Sequence, residues 1–150
     1  MNAFTLLKQD HKTVSGILEK INSTTERGVK TREELFTRLK KELEVHTRIE
    51  ETIFYPALEE EKETRDITLE AFEEHRLVKQ LLKELESMSK DDEQWTAKFT
   101  VLKENIEHHV EEEEDEMFKK ARRVLSEKDL ENLGSRMEKA KQEQKAAGAA

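Results

Sequence analysis

The sequence predicts an all-α protein: an antiparallel up-down-up-down four-helix bundle with a short extra C-terminal helix. Three observations predict it. Helix breakers are scarce, with one Pro and four Gly in 150 residues. Apolar residues recur at three- and four-residue spacing through four long segments, the period of a helix with one buried face. The chain is also internally duplicated: aligning His11 with His75 pairs Val14 with Val78, Ile17 with Leu81, Leu18 with Leu82 and Ile21 with Leu85. Two similar helical hairpins with short connections pack as an antiparallel bundle.

The first helix is predicted from about Asn2 to Ile21 on the stripe Phe4, Leu7, Val14, Leu18, Ile21, in which position 11 is a histidine. The polar run Asn22 to Thr25 and Gly28 mark a loop. Thr31-Arg32-Glu33-Glu34 reads as a capping box that opens the second helix. That helix carries Leu35, Leu39, Leu43, His46, Glu50 and Ile53, and Pro56, which has no amide to donate, is expected to end or kink it. The charged run Glu59 to Asp66 reads as a linker or frayed end. A third helix follows over about Ile67 to Met88 on Ala71, His75, Val78, Leu82 and Leu85. Asp91 or Asp92 caps a fourth, from about Glu93 to Ala121, on Trp95, Phe99, Leu102, Ile106, His109 and Glu113. Trp95, Phe99 and Phe118 read as core. Ser126 with Asp129 starts the extra helix, with Leu130, Leu133 and Met137 on one face. The organisation expected is a bundle over 1–125, the added helix over 126–144, and a frayed tail over 145–150. Whether the added helix covers the bundle is open at this stage.

Charged residues make up 41% of the chain and the formal net charge is −8. So much charge is compatible with disorder, but the regular apolar stripes argue against it. The acidic balance disfavours nucleic acid and anionic membranes as partners. The absence of cysteine excludes disulfides, thiolate catalysis and iron–sulfur ligation. No signal-peptide pattern opens the chain, and no run approaches the ~18 apolar residues of a membrane span. A cytoplasmic location is the expectation.

The informative residues are polar ones on apolar stripes. His46-x-x-x-Glu50 and His109-x-x-x-Glu113 place a histidine and a glutamate on one helix face, and each follows a lone Asp-His or Glu-His, at His11 and His75. His11 to His46 spans 35 positions and His75 to His109 spans 34. His11, His46, Glu50, His75, His109 and Glu113 should therefore face the interior together. A carboxylate buried without a partner costs several kcal/mol or becomes protonated. A pair of metal ions bound by the six residues removes that cost, and facing helices of a bundle are a known way to build such a site. His108 falls off the stripe and is expected at the surface or behind the ligands. Glu51 and Glu114 lie one residue out of phase and are expected exposed or outside the inner set.

With Phe54-Tyr55-Pro56 after the first pair and Phe118 after the second, these motifs resemble hemerythrin and the bacterial hemerythrin-like (HHE cation-binding) domains over about Ala3 to Leu125. The resemblance implies a bundle around two non-haem iron ions, bridged by an oxo or hydroxo ion. It assigns His11 and His46 to one iron, His75 and His109 to the other, and Glu50 and Glu113 to both. The oxygen-carrying members have a second histidine on the third helix, one turn from the first; here those positions are Ala71 and Lys79. Counting donors against two octahedral ions with a shared bridge leaves about two positions open. Tyr55 is a candidate extra ligand, but on an ideal helix its offset from His46 points it away.

A mixed nitrogen and oxygen donor set suits iron. The small-molecule ligand expected is O2, NO or H2O2, handled in oxygen, iron or redox chemistry. Decomposition of peroxide or NO at the open positions is one reading. Binding without turnover is the other, including a metal-stabilised structural or sensor bundle.

Overall fold

The computed structural model describes residues 1–149. Seven α-helices are present, with two single wide turns of π-helix: α1 (Ala3–Asn22), α2 (Val29–Ile49), a π turn (Glu50–Phe54), α3 (Tyr55–Glu59), α4 (Lys62–Ser87), α5 (Glu93–Glu112), a second π turn (Glu113–Met117), α6 (Phe118–Val124) and α7 (Glu127–Ala149). Among the described residues there is no strand. Four rods make the antiparallel bundle: α1; α2 continued through its π turn into α3; α4; and α5 continued likewise into α6.

Side-chain caps account for three of the helix starts. Asn2 caps α1 by accepting from the Thr5 amide at 2.9 Å. Asp92 caps α5 through Gln94 N–H at 2.8 Å. Before α7, Ser126 and Asp129 exchange reciprocal bonds of 2.9 and 3.1 Å, a capping box. The Thr31 box is not used. α2 starts two residues earlier behind Gly28, and Arg32 is buried, bonding Thr24, Thr96 and the Lys90 carbonyl beneath the Trp95 ring. Of the charged run Glu59–Asp66 only Glu60 and Glu61 connect two helices, because α3 ends at Glu59 and α4 already begins at Lys62. Within that run Thr64 is fully buried and donates to Leu58 O at 2.5 Å, so one inward residue suffices to set the helix face while its charged neighbours stay in water.

Pro56 does not break its rod. It lies in the first turn of α3, just after the wide turn, where an amide would have no α-helical partner.

The core divides in two. One apolar cluster holds Phe4, Leu7, Phe54, Leu58 and Phe118. The other holds Val14, Leu18, Leu82, Trp95, Phe99 and Leu102. The six predicted inward residues sit between them.

α7 covers the bundle. Leu130, Leu133 and Met137 are buried against α1 and the first cluster. It also runs to Ala149, past the expected end at residue 144, alongside α2; Ala150 lies outside the described residues. Gly134 allows the approach to α1: a Cβ there would stand 2.2 Å from Met1 O and 2.7 Å from Asn2 C. Gly134→Ala should destabilise the fold by about 1–3 kcal/mol through overpacking against rigid backbone. Gly16→Ala, at an exposed helical position with nothing within 4 Å of the new Cβ, should stabilise it by about 0.5–1 kcal/mol. Urea unfolding of both variants checks the pair.

Candidate metal centre

The six residues predicted to converge do so. His46 Nε2 lies 3.0 Å from Glu50 Oε1, and His75 Nε2 lies 3.1 Å from the same oxygen. His11 Nε2 is 3.1 Å from Glu113 Oε1, and His109 Nε2 is 3.3 Å from Glu113 Oε2. Each glutamate therefore touches one histidine of each predicted pair. Separations near 3 Å between donors are what two ligands about 2.1 Å from a shared ion show at right angles.

Each histidine is held from behind by a carboxylate on another rod. Asp10 of α1 accepts from His46 Nδ1 at 2.9 Å. Glu51, after α2, accepts from His75 Nδ1 at 2.7 Å, and Glu74 of α4 from His109 Nδ1 at 2.7 Å. Glu114, after α5, accepts from His11 Nδ1 at 2.6 Å and closes the circle around the bundle. An ionised carboxylate can only accept, so Nδ1 carries the proton and the Nε2 lone pair faces inward. Lys141 of α7 pairs with Asp10 at 2.5 Å, and Lys79 with Glu51 at 2.8 Å.

Four inward atoms have no hydrogen-bond partner: His11 Nε2, both oxygens of Glu50, and Glu113 Oε1. The Glu50 and Glu113 side chains have no exposure at all. Buried polar atoms are nearly always satisfied, and these four point into one space. Among the described residues the buried ligand atoms form two groups that could each hold an ion, His11, His46, Glu50 and Glu113, and Glu50, His75 and His109; a third group, Glu74, His108 and Glu112, lies nearer the surface.

The same carboxylates shift the protonation of three of the histidines. Burial pulls His46 down, but the Glu50 charge and the Asp10 bond outweigh it and carry it up to about 10. Burial likewise opposes His75 and His109, and their glutamate partners raise both. Burial opposes the ionised form of Glu113, yet the polar groups around it, with His109 and His11 beside its oxygens, hold it well below the usual carboxylate range.

Tyr55 is the residue the regular helix period misplaced. The π turn bonds Tyr55 N–H to Glu50 O, five residues back, so Tyr55 takes the position an i+4 residue would hold and turns inward. Its hydroxyl donates to Glu113 Oε2 and lies 3.2 Å from His75 Nε2 and 3.3 Å from His109 Nε2. Burial and the charges of Glu113 and Glu50 raise it well above its ordinary value, so it remains a phenol there. The duplicated π turn places Phe118 at the equivalent position, stacked on Phe4 with centroids 4.3 Å apart. The Pro after Tyr55 was the available signal: it marks a turn where the α-helical bond is already lost.

Other predicted positions fall as their phase dictates. His108 is exposed and pairs with Glu112 at 3.3 Å. Glu51 and Glu114 are partly exposed and serve as the outer carboxylates. Lys141 carried no sequence signal, since its partner Asp10 is 131 positions away.

On the face opposite Tyr55 lies a cavity of about 20 Å³, lined by the four histidines and by apolar side chains of the second cluster, with Thr47. That is room for about one water-sized molecule.

An all-α bundle with four buried histidines around two buried glutamates has the make-up of a cation-binding helical protein. The chain matches the hemerythrin HHE cation binding domain family over residues 2–121, and it belongs to that family. It is 31% identical over 141 residues to uncharacterized proteins of Mycobacterium tuberculosis (Rv2633c) and Mycobacterium bovis, covering 91% of this chain and 83% of theirs. It also resembles the crystal structure of a hemerythrin HHE cation binding domain-containing protein from Mycobacterium kansasii. There the TM-score is 0.87 and the identity 28%, covering 98% of this chain and 89% of that one. Among the described residues no helix is long and apolar enough to cross a membrane.

Two expectations follow for cation binding. Glu50→Ala and Glu113→Ala should lose bound metal, while His108→Ala should keep it, measured by elemental analysis of folded protein. Because the pKa values of His46, His75 and His109 are raised, an incoming cation must expel protons; affinity should rise with pH from 6 to 8, with proton release on binding. Calorimetric titration in buffers of different ionisation enthalpy measures the protons. No release would contradict the ion-paired ground state.

Proposed function

We propose that this protein is a non-haem di-iron protein that binds or reacts with a small ligand: O2, NO or H2O2. The observation that carries the reading is the set of four unpartnered, inward-facing polar atoms between two histidine pairs. A donor set of imidazole and carboxylate without sulfur favours iron over softer choices, and two bridging carboxylates favour two ions over one. Family membership supports the same reading.

His11 and His46 would hold one ion and His75 and His109 the other, with Glu50 and Glu113 shared. An iron pair would supply electrons to the bound ligand. The chain's own residues do the rest. The carboxylates Asp10, Glu51, Glu74 and Glu114 orient the imidazoles. Phe4, Phe54 and Phe118 exclude water from one side, and the small cavity admits a ligand on the other. Tyr55 stands where the His75/His109 ion lacks a third histidine, and its hydroxyl is placed either to ligate there or to keep a proton beside Glu113.

Purified protein should contain about two irons per chain and show near-ultraviolet oxo-to-iron absorption. A single zinc per chain would refute the assignment. Tyr55→Phe should retain both irons but change the visible spectrum if the phenol ligates. If it only holds a proton, the spectrum should stay and the rate of peroxide consumption should fall by about tenfold or more. Peroxide consumption lost in folded His109→Ala would favour turnover; reversible oxygenation without turnover would favour carriage.

A further inference from the structure

Apart from the four imidazoles, the inner cavity is walled by two sets of residues that the internal repeat relates. Val14, Ile106 and Val110 lie between α1 and α5; Val78, Leu43 and Thr47 lie between α4 and α2. Each set also floors a groove on the surface. The groove along α1 and α5 measures about 150 Å³ and shares the first three, and His11 itself, with the cavity. The groove along α2 and α4, beside the end of α7, measures about 800 Å³ and shares the second three. On the α2/α4 side one layer of side chains separates the histidines from the groove, whereas on the α1/α5 side His11 lines the groove directly.

The repeat relates the apolar residues that floor the two openings, but their sizes and charges differ. The α1/α5 groove carries Glu107 and Glu111, with Lys103 answering Glu107 at 3.0 Å. The α2/α4 groove carries Lys40, Lys41, Arg48 and Lys79 against Glu44 and Glu51. Lys40 is 2.5 Å from Glu86 and Lys79 is 2.8 Å from Glu51, whereas Lys41 and Arg48 meet no carboxylate among the described residues. In a chain of net charge −8 this is a local cationic cleft, and clefts focus fields on approaching ions. The necks differ too. Thr47 stands where the other opening has Val110, and its hydroxyl makes only a long 3.4 Å bond to Glu44 O. It is left able to donate to a passing anion.

We propose that the α2/α4 opening is the ligand entrance and that it is built for small monovalent inorganic anions. Lys41 and Arg48 draw the anion in, and the Thr47 hydroxyl passes it to the histidine-lined cavity. The acidic α1/α5 opening repels the same ions. The inference rests on the di-iron reading of the centre and adds a route for anionic ligands beside the neutral O2, NO and H2O2.

Azide is the probe, followed by stopped-flow absorbance on the oxidised iron-loaded protein. At low ionic strength the double variant Lys41→Glu/Arg48→Glu should bind azide about fivefold more slowly, with the difference shrinking as salt is added. Iron content and circular dichroism should not change. Nitric oxide, being neutral, should bind the reduced centre of this variant at the wild-type rate. Thr47→Val should also slow azide, while Glu107→Lys/Glu111→Lys should not speed it by a comparable factor. An azide titration of the metal-free protein should shift the amides of Thr47 and Arg48 and not those of Glu107 and Glu111. An intact azide spectrum with rates unaffected by Lys41→Glu/Arg48→Glu would overturn the entrance. So would an effect of Glu107→Lys/Glu111→Lys as large as theirs. Wild-type protein with two irons but no azide band would overturn the entrance while leaving the iron count standing. Protein without two irons would overturn both.

Discussion

The structure depends on burying an ionisable layer between two apolar clusters. Two glutamates without solvent exposure and four buried histidines interrupt a core that is otherwise hydrocarbon and aromatic. Unpartnered charge at such depth is not tolerated. Here each imidazole is fixed on its outer nitrogen by a carboxylate from another rod, and on its inner nitrogen it faces one of the two glutamates. The outer bonds run from rod to rod around the whole bundle. They therefore join four helices that hydrophobic packing alone would leave free to slide.

The wide turns are the second structural device. Both begin at the inner glutamate, both close on the residue five positions later, and both are copies of one duplicated element. A π turn adds one residue without ending the helix, so everything beyond it is rotated relative to the regular period. That rotation brings Tyr55 inward on one half and Phe118 on the other. The two halves thereby acquire different chemistry from the same backbone: a hydroxyl beside His75 and His109, and a stacked phenyl ring with Phe4. The same divergence recurs at the surface openings, where repeat-related necks carry a valine in one copy and a threonine in the other.

The seventh helix shows a different kind of contribution. It packs its apolar face on the bundle through Gly134 and returns Lys141 to Asp10. An accessory helix thus reaches the back of one histidine, and the outer carboxylate that orients His46 is itself partly neutralised from outside the repeat.

The helical period, the duplication and the six inward residues were readable from the chain because each is a local, repeating spacing. A stripe at three and four residues says which side chains share a face, and His11, His46, Glu50, His75, His109 and Glu113 all obey it. The capping box at Ser126 was readable for the same reason, since its bonds span three residues. The start of α4 was not, because the single buried Thr64 is hidden in a charged run. Tyr55 was not, because a π turn changes the period it was judged by. Lys141, and the ring of carboxylates from rod to rod, join residues on different helices, and no spacing encodes which helix lies next to which. The sequence by itself determined the helices and the face of each that turns inward. Packing decided which faces meet, where the helical period slips, and which second residue stands behind each imidazole, since contacts between elements exist only once the chain has folded.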